Sequence, residues 1–102
     1  MRRSLPVELS ILKKDVCSIA NIIAEYMVGY RLRYRSVSFA EYALGHVSRL
    51  LGTELAVDID KVVVLGYQEN RLREEVAPKS INEEVRFLLK ILGDSGEVIR
   101  AS

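Results

Sequence analysis

Apolar residues recur at helical spacing through most of this chain, and the pattern predicts four helices and no sheet. Val16, Ile19, Ala20, Ile23, Tyr26, Met27 and Tyr30 share a period near 3.6, which predicts a first helix from Asp15 to Tyr30. The stretch from Ser4 to Lys14 ahead of it reads either as a separate turn of helix or as an extension, with Pro6 suited to a first helical turn. Arg31 to Ser38 then alternates basic and apolar residues. A short strand and a basic connector both fit, and the connector is preferred because Ser38-Phe39-Ala40-Glu41 at once forms a capping box. Val37 and Tyr42 hold the staple positions around that cap. The second helix is expected to reach Leu51, with Phe39, Ala43, Val47 and Leu50 on its apolar face. Gly52 ends it, since glycine tolerates the left-handed conformation after a helix.

Leu55 to Ile59 reads as a connector with an apolar anchor at each end. Asp60 caps a third helix, with Ile59 and Val64 as its staple. The run Val62-Val63-Val64 favours a strand and Gly66 weakens a helix, but Tyr67, Asn70 and Arg71 continue the helical pattern to Glu74 and Glu75. Pro78 disfavours helix at Ala77. Ser80-Ile81-Asn82-Glu83 is a second capping box, and the fourth helix it opens buries Ile81, Val85, Leu88, Leu89 and Leu92 before stopping at Gly93. On one flank of that stripe Asn82, Arg86 and Lys90 follow at four-residue spacing, about 40° apart successively. Asp94 to Ser102 is polar and is expected to hang free of the core.

Length and composition narrow the classes. The chain has 102 residues, 49% hydrophobic and 28% charged, which fits one globular domain with a modest core. No apolar run approaches a membrane span, and charges and Pro6 break any signal-peptide core. Cys17 is the single cysteine, so an internal disulfide is excluded and a cytoplasmic location is expected. It is read as a small buried hydrophobe. The net charge is only +1, but residues 1–50 hold eight Lys/Arg against four Asp/Glu and residues 51–102 hold seven against ten. Basic charge is therefore gathered in the first half. There is no glycine-rich phosphate loop, no metal-ligand spacing around His46, and no pair of residues forming an acid/base or nucleophile set. His46 reads as a boundary residue packing on the core. No catalytic residue, cofactor, metal or small-molecule substrate is expected.

The order of these signals resembles a known family. A helix ending in Ala24-Glu25-Tyr26-Met27 precedes a basic connector and a capped helix closing with His46-Val47-Ser48-Arg49-Leu50-Leu51-Gly52. A third helix containing Tyr67 follows, then Lys79-Ser80-Ile81-Asn82 and a leucine-rich helix. From about Val16 to Ile99 this resembles the core-binding, or SAM-like N-terminal, domain of tyrosine recombinases and phage integrases. The resemblance implies an all-α, compact four-helix SAM-like core-binding domain over residues 15–95. Residues 1–14 would form an N-terminal extension, and residues 96–102 a tail toward an absent catalytic domain. It implies a DNA-binding role in DNA recombination and integration, with double-stranded DNA and other recombinase protomers as partners, in association with the nucleoid. That catalytic domain would carry the nucleophilic tyrosine, and Tyr26, Tyr30, Tyr34, Tyr42 and Tyr67 all lie outside it. The chain is thus expected to be an excised or truncated domain without catalysis.

Candidate DNA contacts follow from that reading. Arg31, Arg33 and Arg35 with Ser36 and Ser38 are the densest basic cluster, placed where the family's connector approaches the DNA backbone. Arg86 is a candidate for a phosphate or guanine, Asn82 for an adenine or phosphate, and Lys90 continues their edge. Lys79 and Ser80 stand where free backbone N–H groups attract phosphate. Tyr42 and Arg49 lie off the apolar face of helix two, with Gly45 between them to let a DNA backbone approach. Departing from the family pattern, Glu83 and Glu84 follow Asn82: Glu84 near the apolar stripe as a helix-dipole partner, Glu83 beside the Arg86–Lys90 edge. Each of these cations also has a plain reading as a solvated polar face. The alternative function is a helical interaction module that dimerises through the apolar Ile19–Tyr30 helix, aided by Leu5 to Leu12.

Overall fold

The computed structural model describes residues 16–102, so the expectations for Ser4 to Lys14, for Leu5 to Leu12 and for the extension 1–14 lie outside the described residues. The described chain is all-α. Its helices are α1 (Ile19–Arg33), α2 (Ser38–Leu51), α3 (Lys61–Arg73), α4 (Pro78–Ile91) and α5 (Asp94–Ala101), with a 3-10 turn at Ala56–Asp58. Five helices thus stand where four were expected.

Helix α1 starts and ends later than its periodicity suggests. Its first-turn donors are all taken. The Asn21 N–H donates to Ser18 Oγ at 3.2 Å, and Ile19 and Ala20 donate to the carbonyls of Glu54 and Gly52 at 2.8 and 3.0 Å. The loop after α2 therefore caps the start of α1. Gly52 serves this contact in right-handed geometry, φ −60° and ψ −31°, not in the left-handed form expected of it. At the other end the helix runs through Arg31 and Arg33, where cations favour the negative end of the helix dipole. The basic stretch is a last helical turn and a short link, not a strand.

Neither predicted capping box forms. Helix α2 begins after Val37, no side chain caps it, and the Glu41 carboxylate turns instead to Arg31. Helix α4 begins at Pro78, whose fixed φ suits the first helical position, with Ala77 extended before it. Ser80 is already inside the first turn, and Glu83 pairs with Arg86. The Asp60 cap does form, accepting from the Val63 N–H at 2.9 Å, and the valine run is helical. With the cap made and Val64 buried, local strand preference is overridden. Helix α3 ends in a Schellman turn: Val76 N–H reaches Arg71 O at 3.2 Å and Glu75 N–H reaches Leu72 O at 2.9 Å. Glu75 takes the left-handed position usually given to glycine, φ 65°.

Helix α4 is the central strut and packs on α1, α2, α3 and α5. The core it crosses holds Ile19, Ile22 and Met27 of α1, Leu44 and Val47 of α2, Val64 and Tyr67 of α3, and its own Leu88 and Ile91. Fully burying one such side chain contributes roughly 1.5–3 kcal/mol. The buried side of α2 centres on Ala40, Ala43, Leu44 and Val47, so Phe39, expected on the apolar face, is 57% exposed. The polar tail packs, against expectation. Gly93 turns the chain with φ 63°, and α5 folds back on α4. Gly96 allows the approach, since a Cβ there would collide with the Leu89 carbonyl oxygen. Lys61 Nζ then donates to the Ser102 carbonyl at 2.9 Å, closing α5 onto the start of α3.

Candidate nucleic-acid interface

The chain of polar contacts that reaches this surface starts in the core. Glu84, expected to serve the helix dipole, is 2% exposed and lies between α3 and α4. It accepts from Tyr67 Oη at 2.6 Å and from Arg71 Nε and Nη2, both at 2.8 Å. Burial alone would raise its pKa. The bidentate Arg71 guanidinium and then the Tyr67 hydroxyl outweigh burial and hold it below the usual carboxylate value. Burial, then the bond to Glu84, pushes Tyr67 far above the ordinary phenol range, so it remains a donor. Arg71 also reaches Glu74 at 2.6 Å, and Glu74 grips Arg49 of α2 at 2.8 and 3.2 Å. Hydrogen bonds from Arg49 and then Arg71 bring Glu74 down to about 2. Arg49, a candidate DNA contact, is thus committed to a carboxylate and also touches His46 Nδ1 at 3.2 Å. His46 is half-buried and meets the Tyr42 ring edge-on at 4.7 Å.

A second group of candidates gathers where the end of α1, the start of α2 and the middle of α4 meet. The rings that join them are Tyr30 with Phe87, 6.4 Å apart, and Phe87 with Phe39, 6.0 Å apart. The Tyr34 ring lies tilted against Tyr30, centroids 4.4 Å apart, and Arg33, Arg35 and Ser36 adjoin Tyr34 along the chain. Arg86 and Lys90 line a recess with Phe39, Phe87 and Glu83. They also line a larger cleft of about 420 Å³ that continues along α5 past Asp94, Glu97 and Arg100. Tyr34, in the middle of the Arg31–Arg35 cluster, is thereby linked through Tyr30 to Phe87, which lines the same recess as Arg86 and Lys90. Arg33, Arg35, Ser36, Ser38, Lys90 and Asn82 are exposed.

Three of the twelve candidates hold carboxylate partners: Arg31 with Glu41, Arg49 with Glu74, and Arg86 with Glu83. The Arg31 and Arg86 pairs are solvent-facing, and such pairs contribute only about 0–1 kcal/mol, so a phosphate can compete for the cations. Lys79 and Ser80 are exposed at the α4 start, some three turns back from Lys90. They do not join the aromatic group. The rings Tyr30, Phe39 and Phe87 were not singled out from sequence as site residues. The signal was present in Tyr26, Tyr30 and Tyr34, spaced by four along one helix face.

Among the described residues no group of three or more His, Cys, Asp or Glu converges to hold a metal ion, and no helix is long and apolar enough to cross a membrane. The described residues form an all-α fold that carries a row of aromatic rings flanked by Arg86 and Lys90. No protein-family model, curated protein or solved structure matches the chain.

Proposed function

We propose that the chain is the DNA-binding core-binding domain of a site-specific tyrosine recombinase, of the SAM-like helical class with α5 folded onto it. It lies on duplex core-site DNA and works beside other protomers of the full-length protein. Strand cutting and rejoining belong to a separate catalytic domain. The observation supporting this is the row of rings Tyr34, Tyr30 and Phe87, which links the segment carrying Arg33 and Arg35 to the α4 edge carrying Arg86 and Lys90. Exposed cations on a rigid helical frame suit the phosphate backbone, and Asn82 and Arg86 are the residues on the α4 edge able to address base edges.

The test is fluorescence anisotropy with labelled duplexes across a salt series. Binding should weaken steeply with salt, the logarithm of affinity falling by about 0.9 per phosphate contact for each logarithm of salt. Reversing Arg33 and Arg35 to Glu should weaken binding alike on all sequences and flatten that slope. A folded protein with no salt-sensitive binding to any duplex would sink the proposal.

A second reading is a dimerisation module. Ile19, Ile22, Ile23 and Met27 of the helix assigned to that contact lie in this chain's own core. What α1 offers outward is Val28 and Leu32, 59% and 83% exposed. Analytical ultracentrifugation with and without DNA distinguishes the two readings.

A further inference from the structure

Duplex contacts by cations leave Phe39 without a role. Its ring is more than half exposed at the start of α2, while its helix neighbours Ala40 and Leu44 are buried. It stands edge-on to Phe87, at 60° between planes, and the two rings with Glu83, Arg86 and Lys90 enclose a recess of about 160 Å³. That is several times the roughly 30 Å³ share of a liquid water. Two aromatic rings and the cations Arg86 and Lys90 line it, with a single carboxylate, Glu83, which pairs with Arg86. An apolar peptide side chain gains nothing from such positive charge. A nucleotide gains from it, because its flat base is joined to a phosphate.

Resting on the DNA-binding reading above, we propose that this recess takes an unpaired DNA base, stacked on Phe39. Lys90 and Arg86 meet the flanking phosphates, and the Glu83 carboxylate accepts from an exocyclic amino group. In an intact duplex the base faces are hidden in the stack, so Phe39 gains nothing there. An unpaired base offers its face to any aromatic platform. Where cytosine presents its N4 amino donor to the carboxylate, thymine presents O4, which only accepts, so thymine has to shift to offer its N3–H and is held less well.

The experiment compares three labelled DNAs by anisotropy: an intact duplex, the same duplex with one bulged cytosine, and the same with one bulged thymine. The wild-type protein should bind the cytosine bulge about tenfold more tightly than the intact duplex, the fold-change expected from one stacked base. The thymine bulge should fall between them. Phe39→Ala should abolish the preference, read as the ratio of bulged- to intact-duplex affinity within the same variant, with circular dichroism confirming the helices. Because the cytosine-to-thymine ranking is measured on the wild-type protein, the proposal stays testable if that variant misfolds. Equal binding of bulged and intact duplexes overturns this inference and leaves the duplex reading standing. A preference that survives in folded Phe39→Ala also overturns it. Absence of binding to all three DNAs overturns both.

Discussion

Truncating Glu84 to Ala should be among the most damaging single changes in this protein, although the side chain is charged and sits on a helix rich in leucine. Glu84 accepts three hydrogen bonds, two of them from Arg71, and both partners are almost wholly buried, at 2% and 3% exposure. Removing the carboxylate strands the Arg71 Nε and Nη2 groups and the Tyr67 hydroxyl. Breaking one partner of a buried pair costs roughly 3–5 kcal/mol. Arg71 keeps Glu74 as a partner at the surface side, so the lower part of that range, about 3 kcal/mol, is expected. For a domain of this size the melting temperature should fall by more than roughly ten degrees. Replacing all three groups together (Glu84→Met, Arg71→Met, Tyr67→Phe) should be within about 1 kcal/mol of wild type, because no polar group is left unpaired. Urea unfolding followed by circular dichroism gives both values. A Glu84→Ala cost below about 1 kcal/mol, or a triple variant as weak as the single one, would refute the reasoning. The pH dependence has a definite sign. Glu84 and Glu74 both have folded-state pKa values below the ordinary carboxylate value of 4.5. Their contribution is fully present above that value and is lost as pH falls below it through their folded-state values, which for Glu74 is about 2. The Glu84→Ala variant should show a flatter acid limb below pH 4.5.

Three further outcomes are expected. Glu75→Gly should stabilise the fold by about 1 kcal/mol in thermal or urea unfolding, since it relieves a left-handed glutamate at the end of α3. Gly45→Ala should stabilise α2 by about 0.5–1 kcal/mol, because nothing lies within 4 Å of the added methyl. If the DNA backbone approaches at Gly45, the same variant should bind duplex less tightly in anisotropy. Glu83→Gln should free Arg86 and raise duplex affinity several-fold at low salt, with a steeper salt slope by about one contact. An unchanged slope would show that Arg86 does not meet phosphate.

Much of the helical layout was legible in local signals. Asp60 caps α3 where its side chain can reach the Val63 N–H, and Pro78 sits where a helix accepts a residue with no donor. The two predicted serine caps failed for a physical reason. A capping box needs its glutamate to turn back to the helix start, and Glu41 and Glu83 have arginines within reach instead. The tail misled because its few apolar residues carry little signal, while the feature that lets α5 pack is an absence of side chain at Gly96. The Arg71–Glu84 pair was written in the sequence only as a charge on an apolar stripe.

By itself the amino-acid sequence determined that this chain is helical, roughly where its helices turn, and that its basic residues cluster near Arg31–Arg35 and on one edge of the last long helix. These follow from periodicity, proline and glycine, which act over a few residues. Only the tertiary structure decided which charges are spent inside the protein and which aromatic rings meet. Arg49 is held by Glu74, Glu84 is buried against Arg71, and Phe39 meets Phe87 across 48 positions of chain. Such pairings depend on how helices cross, and crossing is set by the whole core at once.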